Sequence, residues 1–565
     1  MVAPSVNVFR ALGPQLLCLA MLFAAACSST ASTPAGGSAV GGATDGEGGG
    51  QPKVQRLVFA QVPIESESNE IRVLAGQTFL QIRPVYEYLI GVDAENGKYT
   101  PQLATEWKLE PDGLSFRFKL RQGVQFHNGY GEFTSKDLEE PWRQRTRTDF
   151  VTTLAGYWRD TLSGIEKVGD YEAVYHLKRP DGNYLLTMSE QRGSMEMFSK
   201  KNFDEAGQPT IQNPMLAGTA PYQYLDRRQG EYLRFKRAPY KHWRVTPDFE
   251  EIEFRFIKEP SSRLAAFITG EAQIATLPED LLAVAEKGGG RIINGRAAGL
   301  RTFVPLYCCY LKDPKDPSKG PLWPDSPLQD VRVRKALAKA INRDALNKAY
   351  FGGKGTPMLL PHHHPTRPGW NPDWEKRAQE AYGYDPEAAK KLLAEAGYGP
   401  GKPVVTNMLI APAAGYSGGE DVEEAIATQW RAIGVDAKLV TMDSGERDKL
   451  LRGLQLSNHA IVDATGSDMW TGTTNGGSTL GVRGRGVELA DLDKVLAEMG
   501  NTLDEKKQDE LWRKAGDIMF DQYQSLPLFW LPTQVVVRKD VVAGYSFPGS
   551  ITGSWTHLYT IKAVK

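Results

Sequence analysis

Cysteine is scarce in this chain, with four copies in 565 residues, at Cys18, Cys27, Cys308 and Cys309. No CxxC or HxxxH pattern occurs, so the sequence offers no metal-ligand set of familiar spacing. An excess of either charge is also missing, because 67 Lys and Arg stand against 68 Asp and Glu for a formal net charge of -1. A chain without a basic surplus has little with which to neutralise phosphates, which argues against a nucleic-acid partner. Long apolar runs are absent too. The uninterrupted stretch Leu16 to Ala26 falls short of the about 20 residues needed to cross a bilayer. No internal repeat of solenoid period is visible.

What that short apolar run does have is context. Arg10 precedes it, the small residues Ala24, Ala25 and Ala26 end it, and Cys27 follows directly. This order is the anatomy of a secretory signal, and it resembles a lipobox, in which cleavage before Cys27 leaves that cysteine to carry acyl chains. Residues 1–26 are then the signal peptide, and removing them removes only Arg10 from the charged set. Residues 27–52 are a tether: from Ser28 to Pro52 the chain has almost no large apolar side chain and no periodicity, so it cannot bury enough surface to fold. Acyl chains hold a protein at a membrane, and a spacer of this kind lets a globular body stand clear of it.

The rest of the chain, in a sequence with 41% hydrophobic residues, is long enough for more than one lobe. Leu114, Phe116, Phe118 and Leu120 alternate with Ser115, Arg117, Lys119 and Arg121 after the turn residues Pro111, Asp112 and Gly113, which predicts a half-buried antiparallel strand. A second β unit alternates around Gly230, and EIEFRFI gives another strand before a helical pattern in SSRLAAFITGEA. Further on, DVRVRKALAKAINRDALNKAYFGG reads as a helix with Asp330 as its cap and Gly352 at its end. DPEAAKKLLAEAGYG repeats that grammar with Asp385, Pro386 and Gly397. Val422, Ile426, Trp430 and Ile433 share one helical face before a strand through Val435, Ala437 and Leu439. Strand and helix alternate here, the mark of an α/β lobe, and the chain end LPLFWLPTQVVVRKDVVAGY returns to strand composition.

Taken in order, PQLATEW, PDGLSFRFKLRQGVQFHNG, FTSKDLEE, GTAPY, LQDVRVRKALAKAINRD and YDPEAAKKLLAEAGYG with the helix ending in IGVDAKL resemble the bacterial extracellular solute-binding proteins of family 5, the peptide- and nickel-type binding proteins of ABC importers. The resemblance covers roughly residues 55 to 560. It implies an α/β, two-lobed periplasmic binding protein-like fold of class II, with an extra β-rich subdomain on lobe I. Lobe I is expected to take residues 53–304 and to receive the chain again at 524–565, with lobe II at 305–523. It further implies a monomer, without cofactor or catalysis, that closes on a small solute, a peptide or similar oligomer, and delivers it to a membrane permease from the periplasm or cell surface.

Candidate ligand-binding residues follow from that resemblance. In peptide-binding relatives a late loop of lobe II supplies an aspartate to the ligand's amino group, and this chain has VDATGSDMWTGTTNGGST there, which makes Asp463, Asp468 and Trp470 candidates beside the alternative of an Asx turn. Glu65 and Ser66 occupy the loop after the first strand. Tyr307, near the first crossing, and Tyr416, before the Trp430 helix, are candidate stacking residues or simply packing. The adjacent Cys308 and Cys309 have α carbons only about 3.8 Å apart, tighter than ordinary disulfides. They read as two side chains alternating across a strand, with a vicinal disulfide open in an oxidising compartment. The run His362, His363, His364 does not converge on one ion, since neighbouring side chains diverge in extended backbone. The rival reading is a serine hydrolase, because GYSGG matches GxSxG with Ser417 as nucleophile and Asp463 or Asp468 and His557 following; APAAG, however, separates the motif from its strand. A chaperone-like or adhesive lipoprotein on the same fold is the third class.

Overall fold

RLVFAQ, residues 56–61, is apolar through four consecutive positions, which only a strand covered on both faces tolerates. In the computed structural model Leu57 and Phe59 face one core with Leu233, Phe235 and Phe254, while Val58 and Ala60 face another with Phe267 and Leu282. The structure describes residues 51–64, 67–73, 76–150, 155–193, 195–295, 300–410, 419–466, 469–481, 483–484, 486–549 and 556–565. Among them Arg56–Gln61 lies near the middle of a seven-stranded sheet in the order Gly290–Asn294, Gln534–Arg538, Ile274–Ala275, Arg56–Gln61, Glu251–Phe256, Tyr232–Arg237, Tyr222–Arg228. It runs parallel to Ile274–Ala275 and Glu251–Phe256.

A separate four-stranded antiparallel sheet, Ala104–Leu109, Ser115–Leu120, Glu172–Leu177 and Leu162–Gly169, forms the extra β subdomain. The alternation read from the sequence sends Phe116, Phe118 and Leu120 into a core with Tyr175, Tyr184 and Trp158. Ser115 is buried as well, because its hydroxyl donates to Asp112 at 2.8 Å and lies 3.0 Å from the His176 ring.

The second large sheet runs Thr356–Pro357, Ser525–Leu531, Leu300–Tyr307, His459–Ala460, Val405–Ile410, Asp436–Thr441, with Asp463–Thr465 also on Leu300–Tyr307. Helices cover it, and Val422, Ile426, Trp430 and Ile433 all enter its core, as their spacing predicts. One expected helix divides. The chain forms Val331–Lys339 and Arg343–Tyr350, because Asn342 caps the second helix at Ala345 N while its own N–H donates to Gln429. The cysteine pair departs further from expectation. The strand stops at Tyr307, and Cys308 and Cys309 are joined in a buried disulfide with Cys309 at φ 56°. A left-handed residue cannot continue the alternation of a strand.

The first sheet draws on residues 56–294 and 534–538, and the second on 300–531. The chain therefore passes between them once between Asn294 and Leu300 and again between Leu531 and Gln534. At that point Gly295 N–H donates to Thr533 O at 2.7 Å. A Cβ at Gly295 would lie 2.3 Å from Thr533 Oγ1 and 2.6 Å from Gly549 Cα, so only glycine allows the two passages to touch. We expect Gly295→Ala to cost about 1–3 kcal/mol through overpacking, read as a lower urea midpoint at constant m-value; an unchanged midpoint would mean that the crossing is loosely packed.

Candidate functional site

Strand direction decides where a ligand meets this fold. Residues 534 and 294 mark the crossing end of the first sheet, and the parallel strands Arg56–Gln61 and Ile274–Ala275 end there. In the second sheet the crossing end carries Leu300, Leu531, Thr465 and the carboxyl end of Val405–Ile410. Ligands of α/β sheets sit outside such carboxyl ends. The cleft is therefore bounded by these loops from both sides.

Side chains also reach across it. Lys354, beside the second sheet, pairs with Glu279, the first residue of the helix that follows Ile274–Ala275. Arg192, from the first lobe, donates to Thr471 Oγ1 of the second. Two residues from Arg192, Glu190 helps line a narrow cavity of ≈ 30 Å³, room for about two waters. Arg83, Tyr88, Gln102, Arg244 and Tyr559 share its wall. Its charges are paired: Arg244 meets Glu87 at 3.0 Å and stacks on the Tyr559 ring at 4.5 Å, and Gln102 donates to Glu190 at 3.1 Å. Burial alone would raise the Glu87 carboxyl; Arg244, His242 and Trp243 together hold it below the usual range. Burial pushes the Tyr559 hydroxyl up to about 12.

On the opposite side the strand Leu300–Tyr307 presents Arg301 and Phe303 on the face it shares, by register, with Asp463, Thr465 and Trp530. Arg301 is fully buried, 6.0 Å from the centre of the Trp530 ring, and Phe303, Met358 and Trp530 pack together. Beside Trp530 an open cavity of ≈ 320 Å³ is walled by His364, Trp370 and Glu375. The three histidines diverge: His362 packs on Phe303, His363 on Trp374 and Trp512, and His364 on Trp530. Burial, with Arg301 next, holds His362 well below the ordinary imidazole range.

Of the candidates read from the sequence, Asp463 stands half-buried on this face, opposite Phe303. Trp470 lies in the first turn of a helix, Met469–Gly477, where the sequence reads as a Gly/Thr-rich loop. Close packing decides it: a Cβ at Gly472 would lie 2.2 Å from His362 Nδ1, and one at Gly477 3.0 Å from Gln524 Cγ. The Trp470 ring meets Trp512 edge to face at 6.3 Å and packs on the second lobe's core. Tyr307 is not near the crossing. It ends its strand at the far side, buried with Leu409, Leu451, Leu456 and Ile461. Glu65, Ser66, Tyr416, Ser417, Asp468 and the lipidation candidate Cys27 lie outside the described residues. Sequence reasoning missed Arg301, Trp530, Arg192 and Arg244. Only Arg301 left a signal, as a lone charge inside an apolar strand.

Under the cleft, Glu423 in the first turns of the helix Gly419–Ala432 is 1% exposed and, among the described residues, accepts Val462 N alone, at 3.2 Å, through Oε1. Burial, with Glu420 adding to it and Val462 N and Arg447 opposing, lifts its carboxyl to about 8.

The architecture these features define is a two-lobed binding protein that encloses its ligand. Residues 98–479 match the model of the bacterial extracellular solute-binding proteins, family 5 Middle, and the chain belongs to that family. It is 26% identical over 490 residues to the dipeptide-binding protein of Escherichia coli, covering 81% of this chain and 86% of that one. It is 23% identical over 469 residues to the haem-binding protein A of Haemophilus influenzae, covering 79% and 81%. Among solved structures, the ABC transporter substrate binding protein CtaP of Listeria monocytogenes superposes with TM-score 0.73 at 17% identity, covering 91% of this chain and 100% of that one. DppA of Helicobacter pylori in complex with the peptide STSA gives TM-score 0.68 at 21% identity, covering 90% and 98%.

A carboxyl lifted by folding is proton-bound in the native state while the unfolded chain has lost the proton. Stability should therefore fall as pH rises from about 4.5 to about 8, by no more than about 1.4 kcal/mol per unit of displacement. Glu423→Gln should remove that slope and melt above the parent at pH 9. Parallel melting curves for the two across this window would exclude the assignment.

Proposed function

We propose that this protein is the substrate-binding component of an ABC importer, that it captures a peptide between its lobes, and that it hands the peptide unaltered to a membrane permease. The family match across residues 98–479 carries the reading. The dipeptide-binding relative and the peptide-bound DppA fold support a peptide as the guest. Lobe I is taken as residues 53–295 with the return at 533–565, and lobe II as 300–531; the expected breaks at 304 and 524 shift because Leu300–Tyr307 and Ser525–Leu531 pair with each other inside the second sheet. The protein acts as a monomer outside the cytoplasmic membrane, tethered through acylated Cys27 and the 27–52 spacer.

Capture without chemistry agrees with where the polar groups are committed. His557, the base that a Ser417 hydrolase needs, gives its ring nitrogens to Val92 O at 2.7 Å and Thr556 Oγ1 at 3.1 Å, inside the first lobe. Asp463 lies on the second sheet. Partly exposed charged side chains stand on both lobes, Arg192 on the first and Asp463 on the second, a set suited to orienting a zwitterionic chain.

Native mass spectrometry of freshly purified protein should release a peptide of intact mass. Adding that peptide back at 100 times its Kd should stabilise the fold by about 2.7 kcal/mol, seen as a higher melting temperature, with no cleavage after overnight incubation. A non-peptide cargo, or a cleaved one, would overturn the reading. Separately, Cys27→Ser should lose labelled palmitate and appear in the soluble fraction; an unlabelled parent would remove the anchor.

A further inference from the structure

The extra β subdomain touches the second lobe far along the chain from either crossing. The helix Ala490–Gly500 ends with its carbonyls lacking intrahelical donors, as every helix does. Gly500 O is satisfied from the other lobe, by Gly182 N–H at 3.1 Å. The Gly182 carbonyl in turn accepts Gln508 Nε2 at 3.3 Å, and that same Nε2 donates to Thr502 O at 2.6 Å. Both polar groups of one glycine are thus gripped by the loop and helix start at residues 500–508. A second subdomain turn lies alongside, since a Cβ at Gly113 would meet Leu503 Cδ1 at 3.5 Å.

The turn that reaches across is rigid before it docks. Asp181 accepts Asn183 N–H at 3.0 Å and the Tyr157 hydroxyl at 2.5 Å, while Tyr184 N–H donates to Asp181 O at 3.3 Å. No room exists for a side chain at its tip: a Cβ on Gly182 would lie 2.2 Å from Gln508 Nε2, 2.5 Å from Thr502 O and 3.0 Å from Met499 O. The last two are backbone atoms that a rotamer change cannot clear. Gly182 does not occupy the left-handed region, so alanine leaves the turn itself unstrained and disturbs only the docking.

We propose that the Gly182 turn is a closure clasp, through which the extra subdomain biases the lobes toward the closed state before any ligand binds. Gly500 O and Gln508 exchange the clasp for water on opening, so the contact is reversible. Each hydrogen bond of this kind shifts an equilibrium about two- to tenfold. A ligand that needs the closed state then binds more tightly by the fraction already closed. The clasp rests on the importer reading for its use, but its test needs no peptide.

The test is small-angle scattering of the full chain freed of cargo by unfolding and refolding, beside Gly182→Ala and Gln508→Ala. Both variants should show a larger radius of gyration and a longer maximum dimension than the parent, at unchanged circular dichroism melting. Identical dimensions in all three would overturn the clasp. Should Gly182→Ala melt early, Gln508→Ala, a half-buried helix position, carries the comparison alone. No cargo takes part, so a null result leaves the peptide reading standing, and failure to recover a peptide leaves the clasp standing.

Discussion

The contact on which both lobes depend is small. Gly295 meets Thr533 and Gly549 at distances that no side chain at 295 or 549 permits, and one backbone hydrogen bond ties the two passages together. Everything on either side is conventional packing: buried aromatics such as Trp374 and Trp430 in one lobe, Phe59, Phe235 and Phe254 in the other. Because each lobe owns its core, relative motion costs no apolar exposure within either. It is concentrated in two short passages, the geometry of hinge closure.

Polarity is distributed to suit that motion. The deeply buried ion pairs each stay on one lobe, as Arg145 with Glu196 and Arg244 with Glu87; leaving such a charge alone would be costly. Contacts that span the lobes are of a different kind: Lys354 with Glu279, Arg192 with Thr471, and the Gly182 turn with Gln508. Each involves partly exposed groups that water can take over. The closed arrangement is therefore held by interactions that break without stranding a charge.

Legibility in the sequence followed the range of the interactions. The strand around Phe116 and the helix around Trp430 were readable because period-two and period-3.6 patterns are local consequences of one buried face. The order of phrases carried the family, which fixed the two-lobed plan. What failed was set by distant partners. Helix Met469–Gly477 exists because His362 and Gln524 press on its glycines, against weak local propensity. The resemblance puts Tyr307 near the crossing, whereas strand direction carries it to the opposite end. The cysteine pair broke its strand through a bond between neighbours that periodicity does not encode. Arg192 and Gly182 have meaning only once the lobes face each other.

On the proposed function, the lobes move as bodies about the Gly295 and Thr533 contact and a bound peptide holds them together. Spin labels at Val168, exposed on the subdomain, and Lys391, exposed on the second lobe, report the separation directly by pulsed dipolar spectroscopy. The distance distribution should be broad without peptide and should narrow and shorten when the recovered peptide is added. The same distribution in both conditions would contradict it.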